Sequence, residues 1–440
     1  MKKPIILFIT IFIFAFFTLG SCAKDENSLN AKDPVTLTMW HVYGEQADSP
    51  MNELLDEFNR TEGKQKGVII NVMLTSNAIQ IGEKLLQAQS GKFGAQPMPD
   101  LFFCHKSDAK SLGEENLVNW KEEFSQSELD EFIPSFISDG TINDKLSILP
   151  TTKSTHLLFV ASGVFARFSE ATGVTYDDLQ TWEGFFAVAD KYKEWSGKPF
   201  CAFDYMLRAV ELDAVAKGDD NLYDSDGWYD ENDEIFNSAY TPFARALAKG
   251  SVIVSDMYAN TQIMTGEVIA GVGSSAALLY YNDKITHPDG TSEPIAPKVL
   301  PAPHSNGYKV YAPQAGVGLS ANKTTIKKRR AAAVFARWFT QKKRNLEFAA
   351  DTGYMPVKKG AFDEMKDADF SSTAFSDLYD ALRKTQASAE FLSENDSAAY
   401  YAKTNEVYKK IRTLQKSLDK KYAEGATEEQ VAKEFRNCLK

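Results

Sequence analysis

Short apolar runs alternate with amphipathic stretches along the chain from about residue 35. The β-branched and apolar run 35–40 predicts a strand, and apolar positions within 51–58 recur at helical spacing. Runs 68–73 and 100–104 predict two further strands, separated by a helical pattern over 81–86. Alternation of strand, helix and strand at these spacings favours a parallel sheet with helices on its faces.

The same alternation recurs in the second part of the chain, which becomes mainly helical towards its end. Residues 156–160 predict a strand, and Thr181 is placed to cap a later helix. The acidic segment 219–234 lacks the ligand pattern of a calcium loop, so we expect a solvated loop there. From Phe375 onward helices dominate, with one apolar stripe over 407–418.

Residues 1–21 have the pattern of a cleaved signal peptide. Two lysines follow the first methionine, and the apolar run 5–19 has 15 residues, too few for a helix to cross the roughly 30 Å core of a bilayer. The run ends in Leu19-Gly20-Ser21-Cys22, which resembles a bacterial lipobox. We therefore expect lipidation of Cys22 as a membrane anchor, followed by a polar tether over 22–34. The alternative is a plain secretory signal with an incidental cysteine.

Composition and charge narrow the classes of function. The chain has 440 residues and a formal net charge of −11. Because an acidic chain repels phosphate backbones, we expect no nucleic-acid partner. The length indicates two or three folded units. Besides Cys22 the cysteines are Cys104, Cys201 and Cys438, which we expect to be buried as small apolar side chains; one disulfide between two of them is the alternative.

The sequence shows no recognisable catalytic or metal-binding motif. Its five histidines are scattered, so the paired ligands of a zinc hydrolase are missing. Neither a G-x-S-x-G elbow nor a phosphate-binding loop occurs, and Gly271-Val272-Gly273 lacks the third glycine of a dinucleotide fingerprint. We therefore predict a binding protein rather than an enzyme, without a metal or a cofactor.

Seven short segments occur in the order found in one protein family. They are Met39-Trp40-His41, Phe58-Asn59, Pro99-Asp100-Leu101, Leu149-Pro150, Thr181-Trp182-Glu183, Gly266-Glu267 and Tyr354-Met355-Pro356-Val357. Together they resemble the extracellular solute-binding proteins that feed ABC importers, in the carbohydrate-binding group that includes maltose-binding protein. The resemblance runs from about residue 35 to the C-terminus.

The resemblance implies an α/β fold of the periplasmic-binding-protein-like type II, with two α/β lobes joined by a hinge and ligand in the cleft between them. The first lobe would take residues 35–150 and about 297–350, and the second 151–296 and about 351–440. A solute that bridges both lobes would favour the closed state. The implied partners are a small solute, expected to be a carbohydrate, and ABC permease subunits in a bacterial membrane. The protein is expected to act as a monomer in the periplasm or at the cell surface.

Polar and aromatic side chains after strand ends are the candidates for solute contacts. Open α/β sheets bind ligands at that edge, and aromatic rings and carboxylates suit the apolar faces and hydroxyl groups of sugars. The strongest candidates are Asp204 and Tyr205, which directly follow Phe203. The other candidates, several of which the resemblance supplies, are Tyr43, Glu45, His105, Ser107, Ser274, Ser275, Gln314, Gly316 and Tyr400.

Two departures from the family pattern bear on the ligand. Val160-Ala161 stands where many relatives have Tyr-Asn, and the segment 274–277 carries no aromatic residue before Tyr280. A large maltose-like glycan is therefore not expected. A surface lipoprotein with an adhesive or structural role is the main alternative function, and a secreted carbohydrate-active enzyme is the other.

Overall fold

A computed structural model describes most of the chain after the predicted signal peptide. The described residues are 27–43, 49–76, 80–220, 222–224, 227–230, 232–256, 258–365 and 372–440. The predicted signal peptide, Cys22 and Glu45 lie outside them. Across the described ranges, no helix has the length and apolar character that a membrane span requires.

Strands and helices alternate through these ranges. The strands are β1 (Val35–His41), β2 (Val68–Thr75), β3 (Leu101–Cys104), β4 (Thr141–Ile142), β5 (Lys145–Leu146), β6 (His156–Ala161), β7 (Cys201–Phe203), β8 (Val252–Val254), β9 (Ala270–Ser274), β10 (Lys284–Thr286), β11 (Ser292–Pro294), β12 (Pro297–Pro301), β13 (Val310–Gln314), β14 (Gly318–Ala321) and β15 (Ala389–Ser393).

The α-helices are α1 (Pro50–Arg60), α2 (Glu62–Lys66), α3 (Ile81–Gln89), α4 (Lys106–Leu112), α5 (Trp120–Glu123), α6 (Gln126–Leu129), α7 (Pro134–Asp139), α8 (Ser162–Thr172), α9 (Trp182–Ser196), α10 (Met206–Ala216), α11 (Glu234–Lys249), α12 (Ala259–Met264), α13 (Ile326–Phe339), α14 (Lys342–Thr352), α15 (Ala361–Met365), α16 (Thr373–Ser388), α17 (Ala398–Gln415), α18 (Leu418–Ala423) and α19 (Glu428–Asn437).

The first sheet has the strand order β14-β3-β1-β2. Strand β1 runs parallel to β2 and β3, and β14 joins the edge antiparallel to β3. Every residue of β3 is buried, as expected for a strand covered on both faces. Helix α1 turns the predicted apolar positions Met51, Leu55 and Phe58 into this core. The predicted strands and helix of this region are therefore confirmed.

The second sheet has the order β12-β6-β9-β7-β8. Strand β6 is antiparallel to both β9 and β12, whereas β7 is parallel to β8 and β9. Strand β6 is buried throughout. Helix α9 begins after Thr181, whose hydroxyl accepts a hydrogen bond from the Gly184 amide at 3.2 Å, which confirms the predicted cap. Two sheets flanked by helices thus make the expected two α/β lobes.

A short crossover carries the chain from the first sheet to the second. Its residues 151–155 are all buried. Ser154 and Ala315 exchange two backbone hydrogen bonds of 3.0 Å, and Lys153 pairs with Met355. Beside them, β13 and β15 form a separate parallel pair. Several chain segments therefore run side by side between the two sheets, as a hinge requires.

The pairing of strand β12 affects the expected boundary at which the second lobe ends. The return to the first lobe was expected from about residue 297, yet Pro297–Pro301 pairs residue by residue with β6 in the second sheet. An extended apolar run does not reveal its pairing partner, so the sequence alone could not assign this strand. We propose that the chain leaves the second lobe only after Pro301, and we retain the other boundaries as proposals.

The last helix belongs to the core of the second lobe. Val431, Ala432 and Phe435 of α19 are fully buried, and this helix packs against α11. The Tyr240 hydroxyl donates a hydrogen bond to the Phe435 carbonyl at 3.1 Å. The packing of α19 against α11 therefore contributes to the core of the second lobe.

The three cysteines that the structure describes are free and buried, as predicted for small apolar side chains. Burial raises the pKa of the Cys104 thiol to about 12 and that of Cys438 to about 11. High thiol pKa values and burial both disfavour oxidation.

Candidate functional site

The best candidate residues lie on the edge of the second sheet at which the crossover enters. Strand β6 begins at His156, directly after the crossover, and pairs there with Ser274 at the end of β9. Strand β7 runs parallel to β9, so Asp204 and Tyr205 follow its end at the same edge. Because the crossover leads from this edge to the first sheet, the edge faces the first lobe.

Asp204 is the main carboxylate at this edge. Its backbone amide donates to the Val272 carbonyl at 3.0 Å, which continues the sheet pairing by one residue. Its Oδ1 accepts a hydrogen bond from the Ala259 amide at 2.7 Å. Within the described ranges no cation forms an ion pair with it. Burial raises the pKa of Asp204 to about 7, against the smaller opposite effect of the Ala259 hydrogen bond.

Gly273 makes room for this carboxylate. A Cβ atom at residue 273 would lie 2.4 Å from Oδ2 of Asp204, well inside van der Waals contact. The Asp204 carboxylate therefore occupies space that a side chain at residue 273 would need.

We expect a Gly273→Ala variant to bind its solute at least tenfold more weakly, because the added methyl group displaces the Asp204 carboxylate. Isothermal titration with a solute found by screening measures the loss. Gly163→Ala is the matched control, since its Cβ would lie 3.9 Å from the nearest atom, the Pro294 carbonyl oxygen. Equal affinities for the Gly273→Ala variant and the parent chain would contradict the assigned role.

Partly exposed tyrosines lie on the chain segments next to Asp204, and the Tyr280 carbonyl accepts a hydrogen bond from Asn260 Nδ2 of α12 at 3.0 Å. Tyr205, Tyr258 and Tyr280 are each 44–46% exposed, unusually high for such large side chains. The Tyr205 ring stacks on His156 at a centroid distance of 5.2 Å and an interplanar angle of 10°. Tyr258 directly precedes Ala259, the hydrogen-bond partner of Asp204.

Further ionisable groups lie near the Tyr205 ring. Burial raises the pKa of Tyr205, and the nearby Asp204, Tyr258, Glu394 and Tyr401 raise it further. The ring thus lies deep in the cleft while part of its surface remains open to solvent. Open rings beside a carboxylate suit a solute with apolar faces and hydrogen-bond donors.

A buried polar cluster supports this wall from behind. Arg208 Nη1 lies 2.8 Å from Glu211 Oε2, and its Nη2 donates to the carbonyl groups of 392–393. The other oxygen of Glu211 accepts hydrogen bonds from the hydroxyl groups of Tyr229 and Tyr400. The cluster ties α10 to the chain segment at the end of β15, and its charges are paired internally.

Two sets of ion pairs lie near the expected boundary between the lobes. Lys110 Nζ of α4 lies 2.7 Å from Asp396 Oδ1, and Lys106 lies 4.0 Å from its Oδ2. Lys153 of the crossover pairs with Asp139. Burial alone would raise the pKa of Asp139, but the charge and hydrogen bond of Lys153, with smaller contributions from Ser393 and Lys106, together lower it. The cations near the cleft are therefore already engaged by carboxylates.

Tyr43 lies in the first lobe but faces its interior. The side chain is 5% exposed, and its hydroxyl lies 3.1 Å from the Thr152 hydroxyl. Its ring meets Phe103 and Phe348 edge-on at centroid distances of 5.2 and 5.4 Å. In this structure the ring packs in the core at the crossover, and a direct contact with solute remains a prediction.

The other first-lobe candidates lie at the start of α4. His105 caps this helix, and its amide donates to Asp108 Oδ2 at 2.9 Å. Ser107 lies in the first turn and is half-buried. Glu45 lies outside the described residues. A role for any of the three in binding stays a prediction.

The remaining candidates are divided between the cleft edge and the interior. Ser274 is half-buried opposite His156, whereas Ser275 is fully buried and its amide donates to the Thr155 carbonyl. Gln314 is buried and donates to the Ser393 hydroxyl at 2.8 Å, while its Oε1 has no hydrogen-bond partner among the residues that the structure describes.

Gly316 and Tyr400 complete the set. Gly316 has φ +107° and lies beside Ser154 in the crossover, so it requires the freedom of glycine. Tyr400 is buried in the Glu211 cluster and is not brought together with Asp204. Its expected stacking on a sugar stays a prediction, and the neighbouring Tyr401 is the more exposed ring.

Sequence reasoning missed several groups at the cleft edge, among them Tyr258, Tyr280, Tyr401 and Glu394. Tyr280 was noted only as an aromatic position. They come from separate loops and helices, so no spacing in the sequence joins them. An exposed tyrosine directly before a helix start, as at Tyr258, was the one local signal.

A second recess of about 570 Å³ lies elsewhere in the second lobe. Residues of α10, the end of α16 and the segment 300–313 line it. The recess contains none of the predicted site residues, although His156 borders both it and Tyr205. Ser305 donates to Asp213 in its wall, where the loop after β12 covers α10.

Comparisons with solved structures show the same fold over nearly the whole chain. The cyclic α-maltosyl-1,6-maltose-binding protein of Arthrobacter globiformis is similar at 16% identity and a TM-score of 0.68, with 92% of this chain and 98% of that chain covered. An ABC substrate-binding protein of Listeria monocytogenes in complex with cycloalternan is similar at 14% identity, a TM-score of 0.67 and coverage of 92% and 98%.

A protein of Mycobacterium tuberculosis in complex with glycerophosphocholine gives 17% identity, a TM-score of 0.64 and coverage of 92% and 96%. Among curated proteins, none matches this chain at a significant level. The family model of the bacterial extracellular solute-binding proteins matches residues 53–375, which is more than half of the chain. The chain therefore belongs to the bacterial extracellular solute-binding protein family.

Proposed function

We propose that this protein captures a small solute, expected to be a carbohydrate, in the cleft between its lobes and delivers it to an ABC permease. The observation that carries the proposal is the partly exposed Tyr205 ring beside the Asp204 carboxylate and Tyr258, on the sheet edge that faces the other lobe. Sugar rings stack on aromatic faces, and their hydroxyl groups donate to carboxylates.

The comparisons support this substrate class without fixing it. One of the similar structures is a cyclic α-maltosyl-1,6-maltose-binding protein, the second is in complex with cycloalternan, and the third is in complex with glycerophosphocholine. We propose that Cys22 carries a lipid anchor, that the protein is an extracytoplasmic monomer, and that it has no catalytic activity. The predicted signal peptide and lipobox support the anchor.

Closure of the cleft would couple binding to delivery. A solute that contacts both Asp204 in the second lobe and residues of the first lobe stabilises the closed state, because it binds that state more tightly. By the proposed lobe boundaries, the Lys110–Asp396 ion pair of 2.7 Å would join the two lobes. We propose that this pair belongs to the closed arrangement.

A thermal-shift screen of the chain from residue 23 to 440, which contains every described residue, tests the proposal. Sugars, polyols and sugar phosphates form the panel, and a solute at 100 times its Kd should add about 2.7 kcal/mol to the unfolding free energy. We expect Tyr205→Ala to weaken the best hit at least tenfold. Tyr308→Ala is the control, because Tyr308 is 50% exposed and lies on another loop.

Two outcomes would count against the proposal. A folded chain that responds to no solute in the panel would favour the adhesive or structural alternative. Hydrolysis of a glycan that depends on one acidic pair would favour the enzyme.

A further inference from the structure

We propose that the solute carries a protonated amino group, as in an amino sugar, and that Asp204 holds this ammonium against the Tyr205 ring. The inference rests on the proposed function and deepens it, because it names the charge of the solute. It follows from the pairing of charges at the cleft edge and from the rings that line it.

The first argument is that two carboxyl groups at this wall form no ion pair. Neither Asp204 nor Glu394 forms an ion pair with any of the residues that the structure describes. Arg208, a cation near Glu394, is already bonded to Glu211 and to two backbone carbonyl groups. Lys153 is likewise paired with Asp139. A buried carboxylate without a counter-ion is costly, and a cationic solute would supply one.

The groups that face Asp204 add no positive charge. Tyr205, Cys201 and Tyr281 lie near enough for its charge to help raise their pKa values, and His156 stacks on Tyr205. His156 stays neutral, because burial and the nearby Arg208 lower its pKa to about 3. The like charge near this ring pair is therefore Arg208, which Glu211 neutralises.

The second argument is the aromatic lining. An ammonium within about 6 Å of a tyrosine ring is attracted by its electron-rich face, and more strongly where water is excluded. Tyr205 lies beside Asp204 and Tyr258, and both tyrosine rings are partly open to solvent. For a neutral solute the rings would serve equally well, but Asp204 and Glu394 would stay without a counter-ion.

Matched pairs of solutes test the inference. The chain from residue 23 to 440 is titrated with glucosamine oligomers and with N-acetylglucosamine oligomers of one to four units, which differ in charge but share a backbone. Galactosamine and N-acetylgalactosamine, and other aminated and neutral pairs, extend the panel. We expect the aminated member of the binding pair to bind at least tenfold more tightly at pH 7.

The Asp204→Asn variant keeps an acceptor for the Ala259 amide but removes the charge. We expect its preference for the aminated solute to fall to about one or to reverse, while its affinity for neutral solutes is retained. Glu394→Gln is the second variant if Asp204→Asn fails to fold. Titrations at pH 6.5 in buffers of different ionisation enthalpy should show proton release on binding of the aminated solute.

The outcomes separate this inference from the proposed function. A neutral solute that binds as tightly as its aminated partner would overturn the inference and leave the importer role standing. An unchanged preference in the Asp204→Asn variant would overturn it as well. No binding by any member of the panel would overturn both proposals.

Discussion

An Arg208→Met variant should lose about 3–5 kcal/mol of unfolding free energy, because it leaves a buried carboxylate without its counter-ion. Glu211 is fully buried, and Arg208 lies 2.8 Å from it. The substitution also removes the two hydrogen bonds to the carbonyl groups of 392–393. Denaturant unfolding followed by circular dichroism at pH 7.5, without solute, measures the loss.

Arg383→Met is the matched control. Arg383 pairs with Asp380 at 2.7 Å with the same spacing along a helix, but the two side chains are 46% and 56% exposed. Exposed pairs contribute roughly 0–1 kcal/mol, so this variant should change little. Similar losses in the two variants would mean that the buried cluster does not stabilise the lobe.

The Asp204→Asn variant should gain stability over the parent chain as the pH rises from 4 to 8. The pKa of Asp204 is raised from 3.8 to about 7 by burial, so the folded state keeps a proton that the unfolded state has lost. The parent chain therefore loses stability as the pH rises through this window, by at most about 4 kcal/mol. The asparagine variant has no proton to lose, and the difference grows to that extent.

Urea unfolding of both chains at pH 4, 6 and 8 measures this difference in unfolding free energy. His156 has an opposite pH effect, but it is present in both chains and cancels in the difference. Asp289→Asn is the control, because hydrogen bonds from Thr291 lower the pKa of the exposed Asp289, so that its carboxyl group is ionised in the folded state throughout this range. The difference in stability between that variant and the parent chain should be nearly independent of pH from 4 to 8. A difference for Asp204→Asn that is independent of pH would show that the carboxyl group titrates as it does in water.

Apolar runs located the sheets because their strands are buried on both faces. Strands β1, β3 and β6 all lie where such runs occur. Strand pairing was harder to predict, because nothing in the composition of β12 indicates that it pairs with β6. The acidic segment was predicted to be a solvated loop, which was wrong for Trp228 and Tyr229; both are buried against Tyr400 and its neighbours.

At the candidate site, the sequence identified residues that directly follow a strand. Asp204 and Tyr205 were found in this way because the end of a strand fixes their place at the sheet edge. An aromatic residue after a strand can face either the cleft or the core, and Tyr43 faces the core because Phe103 and Phe348 enclose it. Tyr258 and Tyr280 join the site only through the tertiary fold.

The contact between α19 and α11 has a consequence for biosynthesis. Phe435 fills a core whose other wall was made some two hundred residues earlier. Until the last helix is available, that wall of α11 stays uncovered, so this part of the second lobe reaches its final packing only after residues far apart in the chain have both been made.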